Sequence, residues 1–161
     1  MGVSQAEDWV LLAYRLPREP STPRSAVWRK LKRLGVGWLA DGLVALPADP
    51  RTREQLEWIA EEITDNGGEA ALWLGRPLEA AAAAAVADRM TAAVAAEYEA
   101  LTAEAGAARA ADPAARRRSV VRLRRELHRI QARDFFACPA ADAARRAVEQ
   151  LAATDPAGAR P

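Results

Sequence analysis

The hydrophobic positions in the first half of the chain predict four short strands and two helices. Strand-like apolar runs cover residues 9–16, 36–39, 43–46 and 69–74. Asp41-Gly42 separates the second run from the third, a pair typical of a hairpin turn. Apolar residues three or four apart predict the helices, with inward faces at Val27, Leu31 and Leu34, and at Leu56, Ile59, Ala60 and Ile63. The order is β-α-β-β-α-β, the ferredoxin-like arrangement.

No strand pattern follows Arg76-Pro77, and the remaining sequence predicts three helices. The first is rich in alanine, the second is rich in arginine, and the third covers about residues 140–153. We therefore predict an α+β protein with a ferredoxin-like βαββαβ unit over residues 9–76. A C-terminal three-helix extension over 77–153 is expected to pack on that unit, and a flexible tail is expected over 154–161. Ser21 or Thr22 is expected to cap the first helix, and Asp49 or Thr52 the second.

The net charge is only +1, but the positive charge is unevenly distributed. Residues 113–133 contain eight arginines and one acidic residue, which indicates an anionic partner for this segment. The N-terminal sequence has no signal-peptide pattern, and no apolar stretch is long enough to span a bilayer. A single cysteine fits a reducing compartment. We expect a cytoplasmic protein that does not engage a membrane.

The arginines of the second C-terminal helix form a stripe. Five of them recur at steps of four, three, four and four: Arg118, Arg122, Arg125, Arg129 and Arg133. Val120, Leu123, Leu127 and Ile130 recur with the same period on the other side. Guanidinium groups fixed in this way suit a tetrahedral oxyanion. The predicted anion-binding residues are Arg118, Arg122, Arg125, His128 and Arg129, and the alternative is a solvated surface helix.

A second basic cluster lies on and before the first helix, around Trp28. Its members could contact nucleic acid phosphates: Arg18, Arg24, Arg29, Lys32 and Arg33. The alternative, which we favour, is that this helix forms salt bridges with Glu57, Glu61 and Glu62 on the neighbouring helix.

Cys138 is the redox candidate because a thiol near arginines has a lowered pKa. The favoured alternative is a small buried residue packed beside Phe135 and Phe136. His128 could ligate haem, but nothing else marks a haem pocket. No metal-ligand spacing, phosphate loop or nucleophile beside a base is present, so no metal or cofactor is predicted and enzymatic activity is the less favoured interpretation. Trp9, Trp38 and Trp73 are expected in the core or on a sheet face.

Three segments carry a family resemblance: WVLLAYRLPREPSTPRSAVWRKLKRLGVGWLADGLVALP at 9–47, LEWIAEEITDNGGEAALW at 56–73, and LRRELHRIQARDFFACPAADAAR at 123–145. Together they resemble the N-terminal domain of the ChrB family of chromate-resistance regulatory proteins. The resemblance implies chromate as an effector ligand, transcriptional control and DNA as a partner. Because members of that family continue into a C-terminal domain, it also implies a separate ChrB C-terminal domain as a partner.

Two other functions stay open. One is a redox or haem-dependent enzyme that uses Cys138 or His128. The other is an interaction subunit that acts with a separate C-terminal domain. A homodimer is also expected, because the open face of a ferredoxin-like sheet must be covered by helices or by a second subunit.

Overall fold

The structure, a computed structural model, describes residues 8–154. Its elements, in chain order, are β1 Trp9–Arg15, α1 Ser21–Leu34, β2 Gly37–Ala40, β3 Leu43–Pro47, α2 Pro50–Asp65, β4 Glu69–Gly75, α3 Ala80–Ala108, α4 Pro113–Gln131 and α5 Ala141–Ala153. These elements divide into two compact units, one up to Met90 and one from Thr91. Each unit is described separately below. The predicted packing of the helical extension on the sheet stays a prediction, and residues 155–161 of the predicted tail lie outside the described residues.

The first unit contains a four-stranded sheet with the order β2-β3-β1-β4. Every neighbouring pair of strands is antiparallel, and Leu12 at the centre faces Val44 on one side and Leu72 on the other. This is the strand order of a βαββαβ ferredoxin-like unit, so the predicted fold class is confirmed.

The core of the first unit lies between the sheet and the buried faces of α1 and α2. Val10 and Leu12 on β1, with Val44 and Leu46 on β3, point to the same side because they pair across the strands. The helices bury five of the seven predicted positions against this layer, namely Val27, Leu31, Leu56, Ile59 and Ile63. The other two, Leu34 and Ala60, are only partly buried. Burial of each such side chain contributes about 1.5–3 kcal/mol to folding.

The two helix starts differ from each other. Asp49 caps α2, because its carboxylate accepts a hydrogen bond from the Thr52 amide at 2.8 Å and the Thr52 hydroxyl accepts one from the Asp49 amide at 3.1 Å. This prediction is confirmed. The predicted cap of α1 is wrong: Pro20 occupies the N-cap, no side chain caps the helix, and Ser21 already lies in the first turn.

The β2–β3 turn is fixed against β1. Gly42 has a left-handed backbone with φ +72°, and a Cβ there would overlap the carbonyl oxygen of Tyr14. The Tyr14 amide also donates a hydrogen bond to the Gly42 carbonyl at 2.7 Å. Glycine is therefore required here for both conformation and space.

The tryptophans are more exposed than the strand pattern suggests. Trp9 is buried, but Trp73 on the edge strand β4 is 64% exposed and Trp38 on the opposite edge strand is 37% exposed. Trp28 and Trp58 are also exposed, on α1 and α2. Edge strands and outer helix faces leave one side of each ring uncovered.

The second unit is a cluster of α4, α5 and the C-terminal part of α3. Its fully buried side chains include Tyr98 from α3, Leu123 and Ile130 from α4, and Leu151 from α5. The helix α3 continues through Gly106 to Ala108, and α4 begins at Pro113.

The segment after α4 is anchored by Asp134. The Tyr98 hydroxyl donates a hydrogen bond to its carboxylate at 3.1 Å, and the Cys138 amide donates another at 3.0 Å. Burial, followed by the negative charge of Asp134, raises the pKa of Tyr98 well above its ordinary value. The folded state therefore favours the protonated form of Tyr98.

We expect Gly42→Ala to destabilise the protein more than Gly67→Ala. Both residues have a left-handed backbone conformation, which costs about 1–2 kcal/mol for alanine. A Cβ at Gly67 would meet open space, whereas a Cβ at Gly42 would also overlap the carbonyl oxygen of Tyr14. Urea unfolding of the two variants measures the difference. Equal losses of stability in the two variants would show that steric overlap with Tyr14 does not restrict residue 42.

We expect the free energy of unfolding to fall as the pH rises above about 10, because the unfolded Tyr98 ionises there while the folded residue stays protonated. Tyr98→Phe should lose about 1 kcal/mol at pH 7 and decline less steeply above pH 10. Urea unfolding of both proteins at several pH values provides the test; Tyr14, whose pKa is also raised by burial, is present in both and contributes equally to their slopes. The same alkaline slope in Tyr98→Phe and the wild type would contradict this assignment.

Candidate anion-binding site

The helix α4 is held in place by its cap and its buried face. The Asp112 carboxylate accepts a hydrogen bond from the Ala115 amide at 2.9 Å, which lowers the pKa of Asp112, and Pro113 follows at the first helical position. The inner face is buried at the four predicted residues, Val120, Leu123, Leu127 and Ile130. The arginines therefore project from a helix whose rotation is set by the core.

Four of the five predicted anion-binding residues lie together. They border an open groove of about 500 Å³ along α4, which is lined by Arg117, Arg118, Val121, Arg122, Arg125 and Arg129. We call this surface the arginine groove. The fifth predicted residue, His128, is exposed but does not border the groove.

Two of these arginines have acidic partners. Arg122 pairs with Glu104 on α3 at 2.7 Å, and Arg129 pairs with Glu126 one turn before it at 3.3 Å. Within residues 8–154, Arg118 and Arg125 have no hydrogen-bond or ion-pair partner. Arg118, at the N-terminal end of the groove, interacts electrostatically with Asp112, whose pKa it helps to lower, and Arg125 lies near the middle of the groove. Both guanidinium groups can therefore bind an anion without first breaking a direct ion pair.

The stripe does not extend to Arg133, contrary to the sequence pattern. The helix ends at Gln131, and Arg133 is mostly buried, with its side chain only 16% exposed. It forms an ion pair with Glu97 on α3 and donates a hydrogen bond to the carbonyl of Arg129 at 2.9 Å. Arg133 thus closes the C-terminal end of α4 instead of presenting charge.

The sequence pattern also missed two lining residues, Arg117 and Val121. They lie one residue before Arg118 and Arg122, and four apart, so the groove is wider than a single stripe. A search that includes the position before each arginine of the stripe would have found them.

The second basic cluster is only partly brought together. Arg24 and Arg29 border one cavity of about 890 Å³ in the first unit, and Lys32 lies 4.9 Å from the centre of the Trp28 ring. Arg18 and Arg33 are exposed and do not border this cavity. One of the favoured salt bridges is present, between Lys30 and Glu62, whereas Glu57 pairs with Arg53 on its own helix.

The redox candidate Cys138 is buried in the core of the second unit, with 4% of its surface exposed. Ala137 before it has φ 53°, so this turn directs the cysteine inward through an unusual backbone conformation. In the part of the chain that the structure describes, no three His, Cys, Asp or Glu side chains form a group suited to a metal ion.

Comparison with known proteins identifies the family. Residues 24–111 match the family model described as Protein ChrB, N-terminal. The chain belongs to the ChrB N-terminal family. Protein ChrB of Cupriavidus metallidurans is 36% identical over 66 residues, a match that spans 41% of this chain and 20% of the relative. The chain thus matches about a fifth of the length of that curated relative. The predicted family is confirmed, while α4 lies beyond the residues matched by the family model.

The structure also bears on membrane association: none of its helices within residues 8–154 combines the length and the apolar character needed to cross a bilayer.

We expect Glu104→Gln and Glu126→Gln each to raise the affinity of the protein for a tetrahedral dianion. Each change releases an arginine that borders the groove, and an exposed ion pair is worth up to about 1 kcal/mol, or a few-fold in affinity. Sulfate titration at constant ionic strength measures the effect. Glu149→Gln is the control, because Glu149 pairs with Arg145 on α5 away from the groove. An unchanged affinity in both groove variants would contradict the prediction.

Proposed function

We propose that this protein acts in chromate resistance as a regulatory protein whose arginine groove binds chromate. Membership of the ChrB N-terminal family supports the biological role. The observation that carries the chemistry is the groove on α4, where Arg118 and Arg125 form no hydrogen bond or ion pair among residues 8–154 and alternate along the helix with Arg122 and Arg129. Because α4 lies outside the family match, the groove supports the proposal independently of the match.

Chromate is a tetrahedral dianion, and the groove offers the charge and the donors that such an ion needs. Each guanidinium presents several N–H groups in a plane and cannot lose its proton near neutral pH. A hydrogen bond between charged groups contributes about 1.5–3 kcal/mol. Arg118 and Arg125 supply the first contacts, and Arg122 and Arg129 join when they exchange their carboxylates for the ligand. His128 stays outside the groove and receives no contact in this proposal.

The proposed output is transcriptional control in the cytoplasm. Arg18, Arg24, Arg29, Lys32 and Arg33 are all exposed, and in the described chain the ion pair from α1 to α2 uses Lys30 instead of any of them. These five side chains can therefore contact DNA phosphates. A homodimer and a separate ChrB C-terminal domain are the proposed protein partners.

The direct test is chromate binding by equilibrium dialysis, with sulfate as a competing ion at matched ionic strength. We expect the Arg118→Gln/Arg125→Gln double variant to lose about tenfold or more in affinity, because two charged donors are removed. Arg124→Gln/Arg146→Gln is the matched control, because it also removes two charges and both arginines are exposed and do not border the groove. Equal losses in the control and the double variant would indicate a general charge effect and reject the site.

The regulatory step is tested in the same preparations by fluorescence anisotropy with DNA from upstream of the protein's own gene. We expect sequence-preferring binding that chromate releases, and no release in the double variant. Absence of specific DNA binding with and without chromate would reject autonomous transcriptional control.

A further inference from the structure

A second surface, in the first unit, has the composition of a ligand site. A cleft of about 890 Å³ opens beside the start of α1 and the β2–β3 turn, within the range of about 300–1,000 Å³ that is typical of small-molecule sites. Three aromatic and three arginine side chains border it: Tyr14, Trp28, Trp38, Arg15, Arg24 and Arg29. We call it the aromatic-basic cleft.

One face of α1 forms a wall of this cleft. Its residues follow steps of three, one, three and one: Ser21, Arg24, Ser25, Trp28 and Arg29. On a surface helix this spacing usually carries the apolar side chains that face the core. A different face of α1, with Val27 and Leu31, packs in the core. The face that borders the cleft instead carries hydroxyl, guanidinium and indole groups.

The charge of the cleft favours an anionic group. Arg15 pairs with the exposed Glu69 at 3.1 Å, whereas Arg24 and Arg29 form no ion pair within residues 8–154. Asp41 is the acidic residue that borders the cleft. The first turn of α1 has no acidic residue and no side-chain cap. Its backbone amide groups therefore add a positive potential where the start of α1 borders the cleft.

The aromatic side chains supply flat apolar surface beside that charge. Trp28 is 49% exposed, Trp38 is 37% exposed, and both border the cleft. Lys32 contacts the Trp28 ring but does not itself border the cleft. Exposed indoles next to arginines are the arrangement on which nucleic acid bases stack. The turn that contributes Asp41 is held by the Gly42–Tyr14 contact, so this wall is preorganised.

We propose that the aromatic-basic cleft binds a nucleotide unit, with its base stacked on Trp28 and Trp38 and its phosphate held by Arg24 and Arg29. An inorganic anion would leave the indoles without a role, and an apolar ligand would leave the arginines without one. A nucleotide uses both. Its source is either a free mononucleotide or an unpaired nucleotide in a single strand, which share the same chemistry.

The test is isothermal titration calorimetry of the full chain with adenosine monophosphate, adenosine, ribose 5-phosphate and a single-stranded adenine decanucleotide. We expect the monophosphate to bind at least tenfold more tightly than either adenosine or ribose 5-phosphate, because each fragment lacks one half of the recognition. If the decanucleotide binds more tightly than the monophosphate, the result supports a nucleotide within a single strand. If it binds no more tightly than the monophosphate, the result supports a free nucleotide. No binding of monophosphate and decanucleotide, or equal binding of ribose 5-phosphate and monophosphate, would overturn the proposal.

Matched variants locate the binding. Trp28→Leu and Arg24→Gln should each weaken monophosphate binding about tenfold, and Arg24→Gln should leave adenosine binding unchanged. Trp58→Leu and Arg124→Gln are the controls, because both residues are exposed and outside the cleft. Equal losses in the controls would overturn the assignment. Circular dichroism verifies that the variants fold. Chromate affinity should stay unchanged in all four variants, which separates this result from the test of the arginine groove.

Discussion

Burial of four aliphatic side chains on the inner face of α4 is the interaction on which the arginine groove depends. Val120, Leu123, Leu127 and Ile130 each contribute about 1.5–3 kcal/mol through burial. Neighbouring arginines one turn apart on the outer face oppose the helix by only about 0.2–0.5 kcal/mol per pair. The core therefore outweighs the repulsion, and the helix forms with its positive charge concentrated on one side. The groove is a consequence of packing, and it does not require the ligand to assemble it.

The periodicity of the sequence was sufficient for the fold class. Alternating apolar runs identified all four strands, and the positions of Leu31, Leu56 and Ile63 identified the buried sides of the helices. The start of α1 was not predictable in the same way. Two hydroxyl residues follow Pro20 directly, and the direction in which the chain leaves β1 places both of them inside the helix. That direction is a tertiary property, so local cap preferences were insufficient.

The candidate site also has a part that the sequence could predict and a part that it could not. Four arginines of the groove were predictable because a single helix carries them. The carboxylate of Glu104 comes from another helix, and the burial of Arg133 depends on Glu97, so neither could be read from the local pattern. The aromatic-basic cleft needed the structure for the same reason. Its aromatic and basic side chains come from β1, α1 and β2, and no short motif connects them.

The central position of β1 in the sheet has a consequence for how the chain folds. This first strand pairs with β3 and with β4, and the pairing of Arg15 with Glu69 joins residues 54 positions apart. The chain must close these long loops before the strand gains its hydrogen bonds on both sides, and loop closure costs entropy before contacts repay it. The sheet unit therefore folds through non-local contacts, and its formation is slower than that of a helical bundle of the same length. A nascent chain cannot complete its central strand until β4 has been synthesised.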